Sequence, residues 1–187
     1  MTRPVVFTLA SRILHWTMAA LIIAMLFIGV AMVASLSNYH RLVSIHQPIG
    51  IAILALAAIR LINRLFNPPP PLPADMPRLQ KLAAKASHVA LYGLMFALPL
   101  VGWAMLSAGD YPIDLFGSWA LPRLLSPDPM LHAWLRRVHG VLAYGLFAAF
   151  LLHLAAALLH GLILRDGVFG SMATLSFRRR VPQNSRS

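Results

Sequence analysis

Cysteine is absent from this 187-residue sequence, and charged residues are scarce, at 11% of the chain. The missing thiols exclude disulfides, iron–sulfur clusters held by thiolates and covalent cofactor attachment through a CxxCH motif. Acidic residues are rarer still, with five Asp and Glu against sixteen Lys and Arg. Hydrophobic residues make up 59% of the chain, which is the composition of a membrane protein rather than a soluble domain.

The net charge of +11 is compatible with a nucleic-acid partner as well as with a membrane. The basic residues, however, lie at the ends of long apolar runs, where membrane topology requires them. No patch of interleaved aromatic and basic residues accompanies them on a soluble scaffold. We therefore expect membrane lipid, and no nucleic acid, as a partner.

Four apolar runs are long enough to cross a bilayer. They predict an all-α, integral membrane four-helix bundle that forms a single domain over residues 1–187. The first run is too long for a typical signal peptide and has no clear cleavage site, so we interpret it as a mature helix. The predicted helices span about 13–36, 45–66, 83–106 and 136–164, and a basic tail follows at 170–187.

Positive charge predicts the orientation of these helices. Most Lys and Arg residues lie in the N-terminal segment, in the link between the second and third helices, and in the C-terminal tail. Cytoplasmic segments carry this excess of basic residues. We therefore expect both termini to be cytoplasmic, which agrees with an even number of spans.

The fourth run carries no formal charge between residues 138 and 164, but it contains His139, His153 and His160. Ionisable residues inside a bilayer are costly and usually functional. At ~100° per residue the three imidazoles project from nearly the same helix face, and His139 and His153 lie ~21 Å apart along the axis. One face thus presents imidazoles at two depths.

The predicted orientation sorts the intramembrane histidines into two groups. His46 begins the second helix and His139 the fourth, which places both near the outer surface. An inner group lies toward the cytoplasm and consists of His15, His88, His153 and His160. The remaining histidines, His40 and His132, fall in predicted links and are interpreted as ordinary surface residues.

Several kinds of chemistry fit buried histidines. Each ring can simply hydrogen-bond a neighbouring helix. Structural zinc is normally tetrahedral and often uses cysteine, and a proton relay lacks an intramembrane carboxylate. Two imidazoles from facing helices suit the two axial positions of a haem iron. The residues therefore favour a bundle with two non-covalent b-type haems that passes single electrons across the membrane, and the other interpretations stay open.

The chain resembles the bacterial cytochrome b561 family of inner-membrane dihaem proteins, from Leu9 to about Phe169. No single motif is decisive, but their order and spacing together are fairly specific. The matching pieces are RILHW at Arg12–Trp16, HxxxG at His46–Gly50, RLxxR at Arg60–Arg64, SHVALYGLMFALPLVGW at Ser87–Trp103, VHG at Val138–Gly140 and HLAAALLH at His153–His160.

The resemblance implies a multi-pass protein of the bacterial inner membrane, with His46 and His139 as axial ligands of an outer haem. It implies His15 and His153 as ligands of an inner haem. By depth alone, His88 and His160 are alternatives to His15 and His153 as ligands of the inner haem iron.

The best-understood branch of the family moves electrons from periplasmic superoxide to ubiquinone. The resemblance thus implies a superoxide:quinone oxidoreductase with ubiquinone as acceptor, without assigning catalytic residues. His40, Arg41, Arg123, Arg136 and Arg137 would attract the superoxide anion, although nearby aspartates weaken that field.

At the inner side, His88, His160 and Arg60 are candidates for contact with the quinone, and Arg60 is equally a candidate for a haem propionate. The alternative function is a membrane cytochrome b subunit that links a partner dehydrogenase or hydrogenase to the quinone pool.

Overall fold

The computed structural model describes residues 6–115 and 119–173. Its helices are α1 (Leu9–Ala34), α2 (Tyr39–Phe66), α3 (Arg78–Ala108), α4 (Pro129–Leu158) and the short α5 (Val168–Ala173). A π-helical segment, Leu159–Leu164, continues α4 directly. Two short antiparallel strands, β1 (Asp114–Leu115) and β2 (Trp119–Ala120), lie between α3 and α4.

Four helices in the described part of the chain are long and apolar enough to cross a membrane: α1, α2, α3 and α4 with its π-helical continuation. Many large apolar side chains on them point outward, such as Phe27, Val33 and Leu65, which are 72%, 86% and 75% exposed. Such side chains are stable outside a protein core only where lipid replaces water. The predicted all-α membrane fold is confirmed.

Helix packing follows the order of the chain. α1 packs along α2, α3 packs along α4, and α2 joins the two hairpins by packing on α3. The α1–α4 and α2–α4 backbones approach each other less closely than these pairs. The α4 helix therefore lies further from α1 and α2 than from α3.

Several helices extend further than the apolar runs predicted. α2 begins at Tyr39 rather than near residue 45, α3 begins at Arg78 rather than near 83, and α4 begins at Pro129 rather than near 136. The predicted starts were wrong because polar and basic residues can occupy the first turns of a helix outside the hydrocarbon. The first link is consequently reduced to residues 35–38.

The sequence at the N-terminus of α4 favours the start of a helix. The Asp128 carboxylate accepts hydrogen bonds from the N–H groups of Met130 and Leu131, at 2.9 and 3.0 Å, and Pro129 occupies the first helical turn. An Asp cap followed by proline satisfies the unpaired N–H groups there and starts the helix with a preset φ. The helix therefore starts here, in a stretch first interpreted as a link.

Asp128→Ala is expected to lower the free energy of unfolding by about 1 kcal/mol, the usual cost of losing a helix cap. Thermal unfolding of the detergent-purified protein, followed by circular dichroism, measures this. Asp75→Ala removes the same charge from an exposed position without a side-chain hydrogen bond and serves as the control. Equal unfolding temperatures for the two variants would contradict a capping role.

We call the end of the bundle that holds residues 35–38, 109–115 and 119–128 the loop end. Its long connection is fixed to α3 at several points. The Trp103 indole donates to the Pro122 carbonyl at 2.9 Å, and the N–H of Leu124 donates to the hydroxyl of Ser107 at 3.2 Å. The β1 strand also contacts α2. This connection is therefore part of the folded structure over the bundle.

The opposite end, which we call the terminal end, holds the proline-rich 67–77 connection and α5. After the π-helical segment the chain reverses through Arg165 and Gly167, whose φ values are +51° and +82°. α5 then lies across the start of α1, where the N–H of Phe7 donates to the Ser171 carbonyl at 3.2 Å. Residues 170–173, predicted to belong to a basic tail, are thus helical, and 174–187 lie outside the described residues.

Between the two ends lies an apolar core. It is formed by buried side chains of all four long helices: Met18, Ile22, Ile53, Ala57, Met95, Leu98 and Leu146. Leu146 lies midway in sequence between His139 and His153. The core therefore separates the two depths at which the histidines of α4 project.

Candidate functional site

The first pair of histidines lies at the loop end and joins α2 to α4. The ring centres of His46 and His139 are 6.2 Å apart, with an interplanar angle of 64°. The Nδ1 atoms of both rings are buried and make no well-formed hydrogen bond within the described residues. These two histidines, predicted to lie at the same depth, are therefore brought together.

Glycines border this pair. A Cβ atom on Gly102 of α3 would lie 3.3 Å from Cε1 of His139, so the ring packs directly on the α3 backbone. Gly50 lies one turn after His46, and a Cβ there would meet only the terminal methyl of Met25, at 3.4 Å. Gly102 and Gly50 thus expose their backbone next to the two histidines, and a position without a side chain suits a flat ligand.

The second pair lies toward the terminal end and joins α1 to α4. The ring centres of His15 and His153 are 6.3 Å apart, with an interplanar angle of 72°. The Nδ1 of His15 is buried without a hydrogen-bond partner in the described part of the chain. The Nδ1 of His153 lies 3.4 Å from the hydroxyl of Ser87, which can orient the ring.

His88 lies beside this second pair. Its ring centre is 5.4 Å from that of His153, and its Nδ1 donates to the Ala84 carbonyl at 2.7 Å. That hydrogen bond leaves Nε2 as the free nitrogen of the neutral ring. Arg60 stacks on the ring of Tyr92, with its guanidinium carbon 5.7 Å from the ring centre, a cation–π contact.

The distance between ring centres shows whether a metal ion fits between the two imidazoles of each pair. Metal–imidazole bonds are about 2 Å long, and a ring nitrogen lies about 1 Å from its ring centre, so a metal between two rings separates their centres by about 6 Å. The observed 6.2 and 6.3 Å match this spacing, whereas the 5.4 Å between His88 and His153 is shorter. Both pairs also bridge the more widely spaced helices, so the donor set and the space fit a haem.

His160 is placed apart from these rings. Ring contacts link His15, His88 and His153, and within the described residues His160 takes no part in them. It lies in the π-helical segment, and its Nδ1 contacts Oδ2 of Asp166 at 2.5 Å. The prediction that it shares the face of His139 and His153 assumed α-helical geometry, and the π-helix changes the register from residue 159.

Asp166 lies beyond the last membrane-spanning segment and is held by more than one contact. Burial raises the pKa of its carboxyl, but the hydrogen bonds from His160 and from the N–H of Val168 outweigh this and hold the pKa below its ordinary value. The carboxylate is thus the stable form. It also orders the turn between the π-helix and α5.

The charges at the loop end are only partly paired. Asp110 pairs with Arg123, Asp128 is engaged as the cap of α4, and Asp114 is exposed. Arg123 is correspondingly neutralised. The exposed cations that remain near the first pair are Arg41, Arg136 and Arg137, with His40 beside Arg41.

The two histidines first assigned to links both lie in helices. His40 is exposed in the first turn of α2. His132 lies in the first turn of α4, is half-buried, and its Nδ1 donates to the Met105 carbonyl at 2.8 Å. It lines a surface pocket of about 310 Å³ at the loop end whose lining includes none of the paired histidines. His132 therefore joins α4 to α3.

Sequence reasoning missed several residues of the site. Ser87 and Gly102 were quoted only as parts of a longer motif, and Asp166 received no role. Arg12 was placed before the first helix, but it lies inside α1 and is only 5% exposed. Its position three residues before His15 is the signal that could have identified it.

The fold and the two pairs define an integral membrane protein of the b-type cytochrome class. The family model for prokaryotic cytochrome b561 matches residues 6–175, and the chain belongs to that family. It is therefore a membrane electron-transfer protein.

Similar proteins cover most of this chain. Cytochrome b561 homolog 2 of Escherichia coli K12 is 33% identical over 167 residues, which are 87% of this chain and 88% of the relative. The protein named probable superoxide oxidase CybB of Yersinia pestis is 34% identical over 155 residues, 82% of this chain and 87% of the relative. Cytochrome b561 homolog 1 of E. coli K12 is 28% identical over 165 residues, 82% of this chain and 88% of the relative.

Proposed function

We propose that the protein holds two non-covalent b haems and passes electrons from superoxide on one side of the bacterial inner membrane to ubiquinone on the other. The observation that carries this proposal is the presence of two imidazole pairs with matching ring spacings of 6.2 and 6.3 Å, at two depths of one bundle. His46 and His139 hold one haem, and His15 and His153 hold the other. When bound, each haem supplies reversible one-electron redox chemistry.

The choice of His15 rather than His88 at the second haem rests on geometry. The His15–His153 spacing repeats that of His46–His139, and the His88–His153 spacing does not. His88 instead has its Nδ1 fixed on a backbone carbonyl, so the neutral ring presents Nε2 as an acceptor that can take a hydrogen bond from a quinol hydroxyl. We assign His88 to the quinone, with Arg60 beside it.

The proposed orientation places both termini in the cytoplasm and the loop end in the periplasm. The basic residues of the terminal end support it through the positive-inside rule. Superoxide then meets the loop end, where Arg41, Arg136 and Arg137 raise its local concentration. The relative named probable superoxide oxidase supports superoxide as the donor.

The reaction balances with two superoxide anions for each quinone. Each anion loses one electron and leaves as dioxygen, and the quinone takes up two electrons and two protons to form the quinol. The protons come from the terminal end. His160 is a candidate for that uptake because its Nδ1 contacts the carboxylate of Asp166 at this end of the bundle.

Stopped-flow mixing of oxidised, detergent-purified protein with superoxide tests this function. We expect two low-spin b haems per chain, reduction within the mixing time, and reoxidation by added ubiquinone. Haems that are not reduced by superoxide, but that accept electrons from a co-purifying dehydrogenase or hydrogenase, would favour the alternative function as an electron-transfer subunit. Purified protein without haem would contradict both functions.

Removing the loop-end cations is expected to slow the reaction with superoxide. The double variant Arg136→Gln/Arg137→Gln should lower the bimolecular rate by about tenfold at low salt, the lower range of electrostatic steering, and weaken its salt dependence. The double variant Asp110→Asn/Arg123→Gln is the matched control, because it removes an ion pair at the loop end without changing the net charge. Equal losses in the control and in Arg136→Gln/Arg137→Gln would contradict a role for these two arginines.

A further inference from the structure

Within the described residues, Arg12 is a buried cation without a counter-ion. The residue is 5% exposed, and its Nε and one terminal guanidinium nitrogen are buried without a hydrogen-bond partner in the described residues. All five acidic residues of the sequence lie in the described part of the chain, and none of them pairs with Arg12. A buried, unpaired and unsatisfied charge is costly, so it needs a bound anion.

The surroundings of Arg12 explain its burial. It lies one turn before Trp16, whose indole N–H donates to the Met172 carbonyl of α5 at 3.3 Å. The adjacent Ser11 hydroxyl accepts a hydrogen bond from the side-chain amide of Asn63 of α2, at 2.8 Å. Arg12 is thus buried next to the contact between α1 and α2.

Arg12 also lies close to His15 on the helix surface. A separation of three residues places them about 60° apart around α1 and ~4.5 Å apart along it, with Arg12 nearer the membrane surface. An arginine side chain spans this distance easily. The guanidinium is therefore within reach of the edge of a planar ligand that His15 holds, on the side that faces the water.

We propose that Arg12 binds a propionate carboxylate of the haem held by His15 and His153, an inference that rests on the proposed function. A planar guanidinium matches a carboxylate through two parallel N–H···O bonds. Arg60, the earlier candidate for this role, stacks on Tyr92, whereas Arg12 has two buried guanidinium nitrogens without a hydrogen-bond partner in the described residues. A lipid phosphate offers similar chemistry, but a headgroup would have to reach a side chain that is only 5% exposed.

Redox titration of the full, detergent-purified chain gives the first test. Arg12→Gln removes a cation that stabilises the reduced form, so the midpoint potential of one haem should fall while the other stays unchanged. Arg12→Lys should restore most of the difference, because it restores the charge. Arg78→Gln, at an exposed position on the same end of the bundle, is the matched control and should leave both potentials unchanged.

Exchange of haem for its dimethyl ester separates the carboxylate from other anions. Loss of one charge-assisted contact is expected to weaken binding of free-acid haem by Arg12→Gln roughly 10- to 100-fold. Wild type and variant should bind the dimethyl ester equally, because the ester has no carboxylate to lose. A deficit that persists with the ester would overturn the inference and indicate a lipid phosphate or a structural role.

The two proposals fail in different ways. If Arg12→Gln keeps two haems with wild-type potentials and wild-type affinity, the propionate inference is wrong and the dihaem function is untouched. If wild-type protein binds no haem, the proposed function itself is wrong. Should the variant not accumulate, the ester comparison is made with Arg12→Lys, where the single-point ammonium is expected to give a smaller deficit that the ester again abolishes.

Discussion

His139→Ala is expected to leave one b haem per chain instead of two and to stop electron transfer from superoxide to quinone. The substitution removes one of the two imidazoles whose ring centres are 6.2 Å apart at the loop end, while the His15–His153 pair stays intact at the other depth. The remaining haem then loses its contact with the periplasmic donor. Pyridine haemochrome assay gives the stoichiometry, and stopped-flow reduction by superoxide gives the rate.

His132→Ala provides the matched control for this experiment. His132 lies on the same helix, two turns before His139, where its Nδ1 donates to the Met105 carbonyl and its ring contacts Tyr111. We expect two haems and an unchanged spectrum in this variant, with at most a modest loss of stability from the missing hydrogen bond. A haem content that stays at two in His139→Ala would overturn the assignment of the first pair.

Alanine substitution of His15 and of His88 is expected to give opposite outcomes. His15→Ala should lose the second haem, because its ring has the spacing to His153 that an intervening metal requires. His88→Ala should keep both haems but slow their reoxidation by ubiquinone by more than tenfold, a typical loss for a residue that positions or protonates a substrate. Optical spectra and the quinone-dependent rate distinguish the two.

The reverse result is equally informative. If His88→Ala loses a haem and His15→Ala keeps two, His88 is the axial ligand and its Nδ1 bond to the Ala84 carbonyl is the orienting contact typical of a ligating histidine. The quinone assignment of His88 would then be wrong. The His46–His139 pair does not depend on this outcome.

The sequence was sufficient for the features that depend on long apolar runs and fixed helical spacing. The four spans follow from run length, and the grouping of His46 with His139 and of His15 with His153 and His88 follows from depth in antiparallel helices. Both depend on the 1.5 Å rise per residue, which holds wherever the helix is regular. These parts of the fold need no knowledge of tertiary contacts.

Features that depend on local departures from regular geometry were not predictable. The π-helix from Leu159 moves His160 away from the other rings and toward Asp166, and apolar periodicity does not reveal that change. The reversal that brings α5 back to the start of α1 passes through the left-handed residues Arg165 and Gly167, and no apolar run indicates it. The spacing of Arg12 to His15 marks it as a candidate, but its burial depends on tertiary contacts that the sequence does not show.

The apolar core between the two histidine pairs has a consequence for energy coupling. The buried side chains of this layer, among them Met18, Ile22, Ile53 and Leu146, offer no titratable group, and Tyr92 is only partly buried against it. An electron that crosses the buried core is therefore not accompanied by a proton within it. The crossing covers ~21 Å of a hydrocarbon region ~30 Å thick. In the proposed orientation the step is electrogenic and works against a membrane potential that is negative inside, at up to ~2.3 kcal/mol per 100 mV. Turnover in sealed vesicles should therefore rise when an ionophore collapses that potential.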